Sequence, residues 1–314
     1  MRRAGRADAL PADRSGALAS IAWLYYIDGL TQADIAERMS TSRATVGRLL
    51  QEARETGVVR VSIDPAALAT MGLSRQLCER YGLQDAVVVP PSAGSPSVNR
   101  RVAIAAASYV ERFLKPGAII GFGWGDTVMH LLFSIGPESL AGVTFASVAG
   151  GIDRYSREVF ATGNGIQSHL QLIPAPLVVN SPATADALRQ DTSVSRVLEL
   201  SRRAVATITG IGDTHPAEGS VRADLYLPST IDEIAALGGV GDMLGEWFTA
   251  DGTVVPQATS DRRIGIDLAE LRQLPNVIGV AAGSSKAAAI RAALLGGYLN
   301  VLITDAETAE LLVG

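Results

Sequence analysis

Residues 28–63 read DGLTQADIAERMSTSRATVGRLLQEARETGVVRVSI, and their pattern predicts the structure of the N-terminal part of the chain. Thr31 and Ser42 each precede a run with apolar residues at helical spacing, so both are predicted to be helix N-caps. Gly29 is predicted to follow an earlier helix, and Gly57 to follow the last one. The predicted helices cover residues 17–27, 32–39 and 43–55, and a short turn separates the second from the third.

The third predicted helix has two chemically different faces. Its inward face is aliphatic at helical spacing, through Val46, Leu49, Leu50 and Ala53. Its outward face holds Ala44, Arg48 and Gln51, flanked by Arg43, Thr45 and Gly47. Short, polar and cationic side chains suit the DNA major groove, where Arg and Gln pair with base edges. The pattern predicts a helix-turn-helix with a candidate wing strand over residues 58–63, and a small helical bundle with a solvated third helix is the alternative.

The same stretch resembles the DNA-binding head of bacterial SorC-type transcriptional regulators. The matching strings are Gly29-Leu30-Thr31-Gln32, Asp34-Ile35-Ala36, Ser42-Arg43-x-Thr45-Val46, Arg48-Leu49-Leu50 and Ala53-Arg54-x-x-Gly57-Val58-Val59. The resemblance implies that DNA is contacted by Gln32, Ser42, Arg43, Thr45 and Arg48. Two positions depart from the family pattern, since Gly47 stands where Ser is common and Ser40 stands where the turn commonly has Gly.

The chemistry of these side chains predicts different roles at the DNA. Ser42 and Thr45 lie at a helix N-terminus, where backbone N–H groups favour anions, so they are expected to contact phosphates. Arg48 and Gln51 are the best placed to read bases, on a face where Ala44 permits close approach. The remaining candidates are expected to contact the DNA backbone, and they are Gln32, Arg43 and Arg54.

Composition bounds the class of protein. The chain has 314 residues, of which 47% are hydrophobic and 19% are charged, and this excludes a disulfide miniprotein and a disordered chain. A single cysteine, Cys78, excludes a disulfide framework and a zinc site built from cysteines. Residues 1–63 carry nine Arg against seven Asp and Glu, whereas the remainder carries 18 Lys and Arg against 25 Asp and Glu, so only the head is slightly basic. No apolar run suits a signal peptide or a membrane span, and we expect a cytoplasmic protein.

The remainder of the chain predicts an α/β domain with a largely parallel sheet, because short β-branched runs alternate with helical stretches. The predicted strands are 86–89, 118–122, 143–148, 177–179, 205–211, 277–280 and 301–304, and the predicted helices are 99–114, 126–135, 183–189, 194–202 and 286–295. We expect a helix-turn-helix domain over residues 1–63, a linker helix over 64–81 and an effector-binding domain over 82–314.

Three segments of this body have the form of ligand-binding loops beyond the carboxyl ends of parallel strands. Residues 119–127 form a strand, a glycine loop and a helix start, where bare backbone N–H groups can hold an oxyanion or hydroxyls, although a plain tight turn fits equally. Asp242, in residues 241–245, can accept two sugar hydroxyls or cap a helix. Lys286, one of only two lysines in the chain, lies in a first helical turn where the dipole disfavours a cation, which favours a functional role.

The body also resembles the SorC-type effector domain, in strings that keep the same order. They are Gly123-Trp124-Gly125-Asp126-Thr127, Pro174-Ala175-Pro176-Leu177-Val178-Val179, Gly210-Ile211-Gly212, Gly241-Asp242-x-x-Gly245, Gly283-x-x-Lys286 and residues 296–305. The resemblance implies a fold like that of sugar-phosphate isomerases and CoA-transferases, without their catalysis. It implies effector contacts by Gly123, Trp124, Gly125, Asp126, Thr127, Asp242, Gly283 and Lys286. Residues 150–172 match poorly, although Gln167 and His169 could touch a ligand.

Two classes of function fit these features. The first is a ligand-responsive, DNA-binding regulator of carbohydrate or polyol metabolism. The alternative is a sugar-phosphate isomerase-like enzyme with a fused DNA-binding head, in which Asp242 and Lys286 would be the acid and the Schiff-base amine. The histidines, His130, His169 and His215, are scattered, and the apolar run around His130 predicts a buried core position. We expect a regulator and not an enzyme, with no cofactor and no metal.

The expected partners are double-stranded operator DNA and a small sugar, polyol or sugar phosphate, without a membrane. One helix-turn-helix reads only a few base pairs, so we expect a homo-oligomer, either a dimer or a tetramer, and the resemblance suggests a tetramer. Ligand and operator would bias the same oligomer arrangement, and each would alter the affinity of the other by the same factor. Asp126 beside the glycine loop would repel a phosphate, but it could equally be a helix N-cap, so phosphorylated ligands stay open.

Overall fold

The computed structural model describes residues 13–59, 65–92, 97–151, 165–214, 228–256 and 260–314. The chain divides into two compact units, Met1–Pro65 and Ala66–Gly314. Only Val58 and Val59 of the candidate wing strand are described, and the Val59 N–H donates to the Ala53 carbonyl at 2.8 Å directly after the helix. The rest of that predicted strand, and His215, lie outside the described residues.

The described part of the first unit, residues 13–59, consists of helices around one aliphatic core. They are α1 (Arg14–Tyr26), α2 (Gln32–Arg38) and α3 (Arg43–Glu55), within three residues of the predicted bounds at every end. The core is formed by Leu18, Ile21, Leu24, Ile35, Ala36, Met39, Val46, Leu49, Leu50 and Ala53. All four residues predicted for the inward face of α3 are therefore buried, as the helical spacing indicated.

The two predicted N-caps in this unit are confirmed. The Thr31 hydroxyl accepts a hydrogen bond from the Asp34 N–H, and the Asp34 carboxylate accepts one from the Thr31 N–H, which closes a capping box. The Thr31 hydroxyl also donates to the Asp34 carboxylate at 2.6 Å, and this bond, followed by the bond from the Thr31 N–H, lowers the pKa of Asp34. The Ser42 hydroxyl accepts a hydrogen bond from the Thr45 N–H at 3.0 Å. Local side-chain chemistry thus fixes where α2 and α3 begin.

The second unit is centred on a seven-stranded parallel sheet in the order β1-β10-β9-β5-β2-β3-β4. Its strands are β1 (Asp85–Val89), β2 (Ile119–Phe122), β3 (Thr144–Ser147), β4 (Leu170–Gln171), β5 (Ala206–Gly210), β9 (Val277–Val280) and β10 (Val301–Asp305). A smaller antiparallel sheet joins β6 (Gly212–Asp213), β7 (Gly239–Met243) and β8 (Glu246–Thr249).

Helices cover both faces of the parallel sheet. They are α4 (Pro65–Tyr81), α5 (Val98–Val110), α6 (Asp126–Ser134), α7 (Pro182–Gln190), α8 (Thr192–Arg202), α9 (Pro228–Ala236), α10 (Leu268–Leu271), α11 (Ala287–Leu295) and α12 (Ala306–Val313). Helices α5 and α6 share one core with Phe122 and Phe145, whereas α4, α8, α11 and α12 share another with Val88 and Leu302. Burial on both faces explains why the strands are continuous apolar runs.

The chain reverses its direction across the sheet between β2 and β5. From β2 it passes through α6 to β3 at one side, and from β5 it leads to β9 and β10 at the other side. In open α/β sheets such a reversal opens a crevice at the carboxyl ends of the two strands, where ligands bind. The strand order therefore makes the ends of β2 and β5 the expected place for a ligand.

Some sequence predictions for the body were wrong. Residues 177–179 belong to no named strand, and Val178 makes only an isolated bridge to Arg263. Pro174 and Pro176 precede this run, and a proline cannot donate to a ladder, which explains why β-branched residues here did not join the sheet. The antiparallel sheet was not predicted, because its short, glycine-containing strands lack the usual composition of a β-strand.

Helix α4, predicted as a linker, packs into the core of the second unit near the C-terminal end of the helix. Leu77 is fully buried in the core shared with α12. The Tyr81 hydroxyl donates to the Leu312 carbonyl at 2.7 Å, and Arg80 donates to the Val313 carbonyl at 2.9 Å. This end of the helix is therefore fixed to the C-terminus of the chain.

Candidate DNA interface and candidate effector site

The outward face of α3 is open to solvent. Ala44, Arg48, Gln51 and Arg54 are exposed, while Val46 on the other face is completely buried. Among the described residues, none makes a hydrogen bond or an ion pair with the Arg48 guanidinium. The core of the unit therefore holds α3 rigidly and leaves a cationic side chain free on the predicted DNA side.

Gln51, in contrast, already has partners on its own helix. Its amide nitrogen donates to Glu55 at 2.8 Å, and its amide oxygen accepts a hydrogen bond from Arg54 at 3.1 Å. To pair with a base edge, Gln51 must give up these exposed intrahelical bonds. The sequence pattern, which placed Gln51 beside Arg48 as an equal candidate, could not reveal this difference.

The start of α3 combines open amides with two hydroxyls. The oxygens of Ser42 and Thr45 lie 2.8 Å apart, so one hydroxyl donates to the other and the second keeps a hydrogen for another acceptor. Arg43 follows Ser42 and is exposed. Helix N-termini favour anions through their unpaired N–H groups, so this end of α3 is chemically suited to a phosphate.

Gln32 and Arg43 line one surface groove, together with Tyr25, Gly29, Leu30, Thr31 and Ala33. Gln32 also lies over α3, because a Cβ atom added to Gly47 would be 3.5 Å from the Gln32 Oε1 atom. That is ordinary van der Waals contact, so Gly47 is not required by space. Ser40, in the turn before α3, has a φ of +49°, in the left-handed region that explains why glycine is common there.

The glycine loop after β2 is partly committed to holding the fold together. The Gly123 N–H donates to the Ile208 carbonyl at 2.8 Å, and the Trp124 indole N–H donates to the Ala149 carbonyl at 2.9 Å. The expected bare N–H group is therefore not available at Gly123. Trp124 joins this loop to the end of β3, a structural task that its position in the loop did not indicate.

The start of α6 supplies the other backbone groups of this loop. Gly125 is the N-cap residue, with a φ of +151°, and Asp126 and Thr127 form the first turn. The first N–H groups of a helix have no intrahelical acceptor, so these amides can serve a ligand. Thr127 is buried and Asp126 is exposed, so the two side chains differ in what they can reach.

The Gly283–Lys286 segment turns sharply after β9. Gly283 has a φ of +104°, and its N–H donates to the carboxylate of Asp305 at 2.8 Å. Lys286 is partly exposed and ends a short 3-10 turn, Ser284–Lys286, so it caps α11 rather than lying inside its first turn. Lys286 thus lies at the end of a turn that the Gly283–Asp305 hydrogen bond holds beside the ends of β9 and β10.

Asp242 lies in a different context from the two that its sequence suggested. It is a residue of β7, opposite Gly212 and Trp247, and it neither caps a helix nor follows a strand of the parallel sheet. However, β6 starts only two residues after the end of β5, so Asp242 pairs with backbone that directly extends a parallel strand. Pairing of β7 with β6 therefore still places Asp242 near the carboxyl ends of the parallel strands.

Close contacts bring these segments together at the switch point. A Cβ atom on Gly123 would lie 2.7 Å from the Leu244 side chain, and one on Gly210 would lie 3.9 Å from the Trp124 carbonyl oxygen. A Cβ atom on Gly241 would lie 2.6 Å from the Ala289 Cβ atom of α11. The β7–β8 hairpin therefore lies against the loop after β2 and against the helix that follows Lys286.

Leu244 and Asp305 are residues of this site that sequence reasoning missed. Leu244 has a φ of +53° at the tip of the β7–β8 hairpin, next to Gly245. Its side chain is buried against Gly123. Asp305 is buried at the end of β10. Gly245 is compatible with a tight hairpin turn, but Leu is not the usual residue before it, and nothing local pointed Asp305 toward Gly283.

The other candidate reactive side chains among the described residues are two histidines and the cysteine. His130 is exposed, so the predicted core position was wrong. The His169 ring contacts the Val143 carbonyl at 3.0 Å. Burial raises the pKa of the Cys78 thiol, which disfavours the thiolate. Within the described ranges, no group of three His, Cys, Asp or Glu side chains is arranged for a metal ion, and no helix is long and apolar enough to span a bilayer.

Two family models match this chain. One, described as "Putative sugar-binding domain", matches residues 66–314, and sigma-70 region 4 matches residues 23–56. The transcriptional regulator LsrR of Klebsiella pneumoniae subsp. pneumoniae is 37% identical over 303 residues, which cover 93% of this chain and 91% of that protein. LsrR of Escherichia coli (strain K12) is 33% identical over 299 residues, which cover 93% and 92%.

Solved structures show the same relationship. The full-length sorbitol operon regulator SorC from Klebsiella pneumoniae aligns over 97% of this chain and 100% of its own, with a TM-score of 0.72 and 29% identity. A DeoR family transcriptional regulator from Listeria monocytogenes covers 78% of this chain and 99% of its own, with a TM-score of 0.68 and 27% identity. These relatives are regulators, so the isomerase-like alternative is set aside and the α/β fold with its helix-turn-helix is confirmed. The chain is a ligand-responsive, DNA-binding transcriptional regulator, and it belongs to the SorC-type family of sugar-binding regulators.

Proposed function

We propose that the chain binds operator DNA through the outward face of α3. The observation that carries this proposal is the free, exposed Arg48 on a helix whose opposite face is locked into the core. Arg pairs with guanine through two hydrogen bonds, and one such pair contributes about 1–3 kcal/mol of discrimination. Arg48 is therefore the principal base-reading residue in this account, and Ala44 next to it leaves room for the approach.

The other predicted DNA contacts support Arg48. Ser42 and Thr45 have one hydroxyl hydrogen left for a phosphate, and the start of α3 adds open amides. Gln32 and Arg43 line a common groove and would contact the DNA backbone. Gln51 would read a base only after leaving Arg54 and Glu55, and Arg54 would contact phosphate. These contacts would set affinity and register, whereas Arg48 would set sequence preference.

We propose further that the effector binds at the carboxyl edge, between the loop after β2 and Lys286. The candidate polar groups are the amides that start α6, the carboxylate of Asp242 and the ammonium of Lys286. A carboxylate accepts hydrogen bonds from paired hydroxyls, and an ammonium donates to hydroxyls or phosphate. Gly123, Trp124, Gly125, Thr127 and Gly283 would shape this pocket.

This donor and acceptor set favours a polyhydroxylated ligand. The exposed Asp126 carboxylate at the start of α6 would weaken a phosphate at that end, so we propose a sugar or polyol there. The SorC structure that aligns with this chain is that of a sorbitol operon regulator, which supports the polyol class. A phosphate on the ligand would be placed at Lys286 instead.

Oligomerisation would couple the two sites. We propose a homo-oligomer, a dimer or a tetramer, in the cytoplasm, because pairing of two helix-turn-helix units doubles the contacts with DNA. Ligand binding and operator binding would then favour or disfavour one arrangement of the subunits. Linkage requires that each ligand alter the affinity of the other by the same factor.

A two-part experiment tests this proposal. A thermal-shift screen of sugars, polyols and their phosphates on the full chain should find a ligand that raises the melting temperature, because a ligand that binds the folded form stabilises it. That ligand should then change the affinity for a duplex selected from a random library by the wild-type chain. A stabilising ligand that leaves this affinity unchanged at saturation would contradict the proposed coupling.

A further inference from the structure

An ion pair connects the first turn of α1 with the DNA-facing side of α3. The Arg14 Nε atom donates to Glu52 Oε1 at 2.8 Å, and its Nη2 atom donates to Oε2 of the same carboxylate. Two parallel hydrogen bonds from one guanidinium to one carboxylate fix both groups in a single geometry. Arg14 therefore holds Glu52 by both of its oxygens.

Glu52 is the carboxylate nearest to Arg48 along α3. It follows Arg48 by four residues, so the two side chains lie one above the other on the helix surface. No Asp or Glu precedes it within α3. If its carboxylate were free, it would pair with the Arg48 guanidinium and would add a negative charge beside the predicted DNA phosphates.

The charge on Glu52 is present at neutral pH. The hydrogen bond from Arg14 is the main cause that lowers the pKa of this carboxyl, and the positive charge of Arg48 lowers it further. Protonation therefore cannot remove the competitor. An oppositely charged partner can prevent Glu52 from pairing with Arg48, and in this structure that partner is Arg14.

Stability alone does not account for the pair. The Arg14 side chain is 65% exposed and that of Glu52 is 29% exposed. Exposed ion pairs contribute little to the free energy of folding, since water already solvates both ions. Helix α1 is also fixed to α3 by the core that contains Ile21 and Leu50.

We propose that Arg14 is a positioning residue for operator recognition, because it holds Glu52 and so leaves Arg48 free to meet DNA. This inference rests on the proposed reading role of Arg48. Arg14 itself need not touch the duplex. Because Arg14 neutralises Glu52, the outward face of α3 acts as a cationic face although Glu52 lies beside it.

Charge-removing variants of the full chain test this proposal in a double-mutant cycle. The probe is a fluorescent duplex selected from a random library by the wild-type chain, and the measurement is the dissociation constant by anisotropy. Arg14→Gln should weaken binding by about two- to fivefold, on the scale of one exposed pair plus one uncompensated charge near phosphate. Glu52→Gln should not weaken binding, and Arg14→Gln combined with Glu52→Gln should return to within about twofold of wild type. The loss in Arg14→Gln should grow as salt is lowered, since exposed charges are then less screened.

Each other outcome overturns the inference. Unchanged binding in Arg14→Gln would show that Glu52 does not compete. A double variant as weak as Arg14→Gln would show that Arg14 contacts the DNA itself, and weakened binding in Glu52→Gln would show that the pair is structural. Arg75→Gln with Glu79→Gln removes an exposed ion pair on α4 and should leave the affinity unchanged. Failure of the proposed function is seen separately, because Arg48→Ala would then keep the wild-type sequence preference.

Discussion

The Gly283 backbone N–H donates a hydrogen bond of 2.8 Å to Oδ2 of Asp305. The same carboxylate caps α12, since Oδ1 accepts from the Thr308 N–H at 3.1 Å and Oδ2 accepts from the Thr308 hydroxyl at 2.6 Å. Asp305 ends β10 and is buried, so one side chain joins the last strand, the last helix and the turn that carries Lys286. The position of Lys286, whose ammonium group is proposed to contact the ligand, therefore depends on Asp305, which lies 19 positions further along the chain.

Asp305→Ala should impair the effector response. The Gly283 N–H would lose its acceptor, the turn would loosen, and the effector concentration for half-maximal change in operator binding should rise about fivefold for each 1 kcal/mol of lost positioning. The chain should also lose about 1 kcal/mol of stability from the lost helix cap and about 1–3 kcal/mol from the part-buried N–H. Asp191→Ala removes a similar cap from α8 and should leave the effector concentration unchanged. Equal effects of both variants on the effector response would contradict the link.

Lys286→Ala should abolish the effector response while operator affinity without effector stays at the wild-type value. The ammonium would be lost from the proposed pocket, but the DNA-binding unit contains neither this residue nor its neighbours. Lys115→Ala is the matched control, because it removes the other lysine, which is exposed elsewhere on the second unit. Anisotropy titrations of the selected duplex with increasing effector provide the measurement. If Lys286→Ala still responds at wild-type effector concentrations, the ammonium does not contact the ligand.

Gly47→Ala should stabilise the first unit. Glycine within a helix costs about 1 kcal/mol relative to alanine, and the added Cβ atom would meet only Gln32 Oε1 at 3.5 Å. Hydrogen exchange of the α3 amides should slow by about fivefold, which corresponds to about 1 kcal/mol. Gly72→Ala in α4, where no atom lies within 4 Å of the added Cβ, should protect α4 amides and not those of α3. Faster exchange of α3 in Gly47→Ala would show that glycine is required there.

Much of the DNA-binding unit could be predicted because its determinants are local. Thr31 and Ser42 each cap a helix by accepting a hydrogen bond from the N–H three residues later, so the sequence indicates where α2 and α3 begin. The buried residues of α3 recur with the helical period. The turn before α3 was less certain, since Ser40 occupies a left-handed conformation that glycine adopts more readily. The hydrogen bonds of the Gln51 amide with Arg54 and Glu55 depend on side-chain conformations and were not visible in the pattern.

The candidate effector site was harder to predict because contacts distant in sequence build it. Asp242 lies at the carboxyl edge on the antiparallel strand β7, which was not predicted because the strand contains glycines. Leu244 approaches Gly123 across more than a hundred residues, and Asp305 approaches Gly283 across a helix and a strand. The strings Gly123–Thr127 and Gly283–Lys286 located the loops, but periodicity carries no information on which distant residue holds them.

Tyr109 should titrate late in alkali. Burial, together with a hydrogen bond involving Asp85, raises the pKa of Tyr109 to about 12. Because the folded pKa lies above the usual value near 10, the neutral phenol stabilises the fold fully below pH 10, and this contribution is lost as the pH rises from 10 to 12. Burial also raises the pKa of Tyr298, so ultraviolet titration of tyrosinate should show a late component that Tyr109→Phe reduces by one tyrosine. Titration of all seven tyrosines in one step near pH 10 would contradict this environment.

Proposed operator recognition rests on base reading by Arg48, and paired affinity measurements of Arg48→Ala are its sharpest test. Anisotropy with the selected duplex and with a scrambled duplex gives the sequence preference of each variant. Arg48→Ala should lose about 1–3 kcal/mol on the selected duplex and much less on the scrambled one. Arg54→Ala should weaken both about equally, as expected for a phosphate contact. An Arg48→Ala chain that keeps the full preference for the selected duplex would contradict the account.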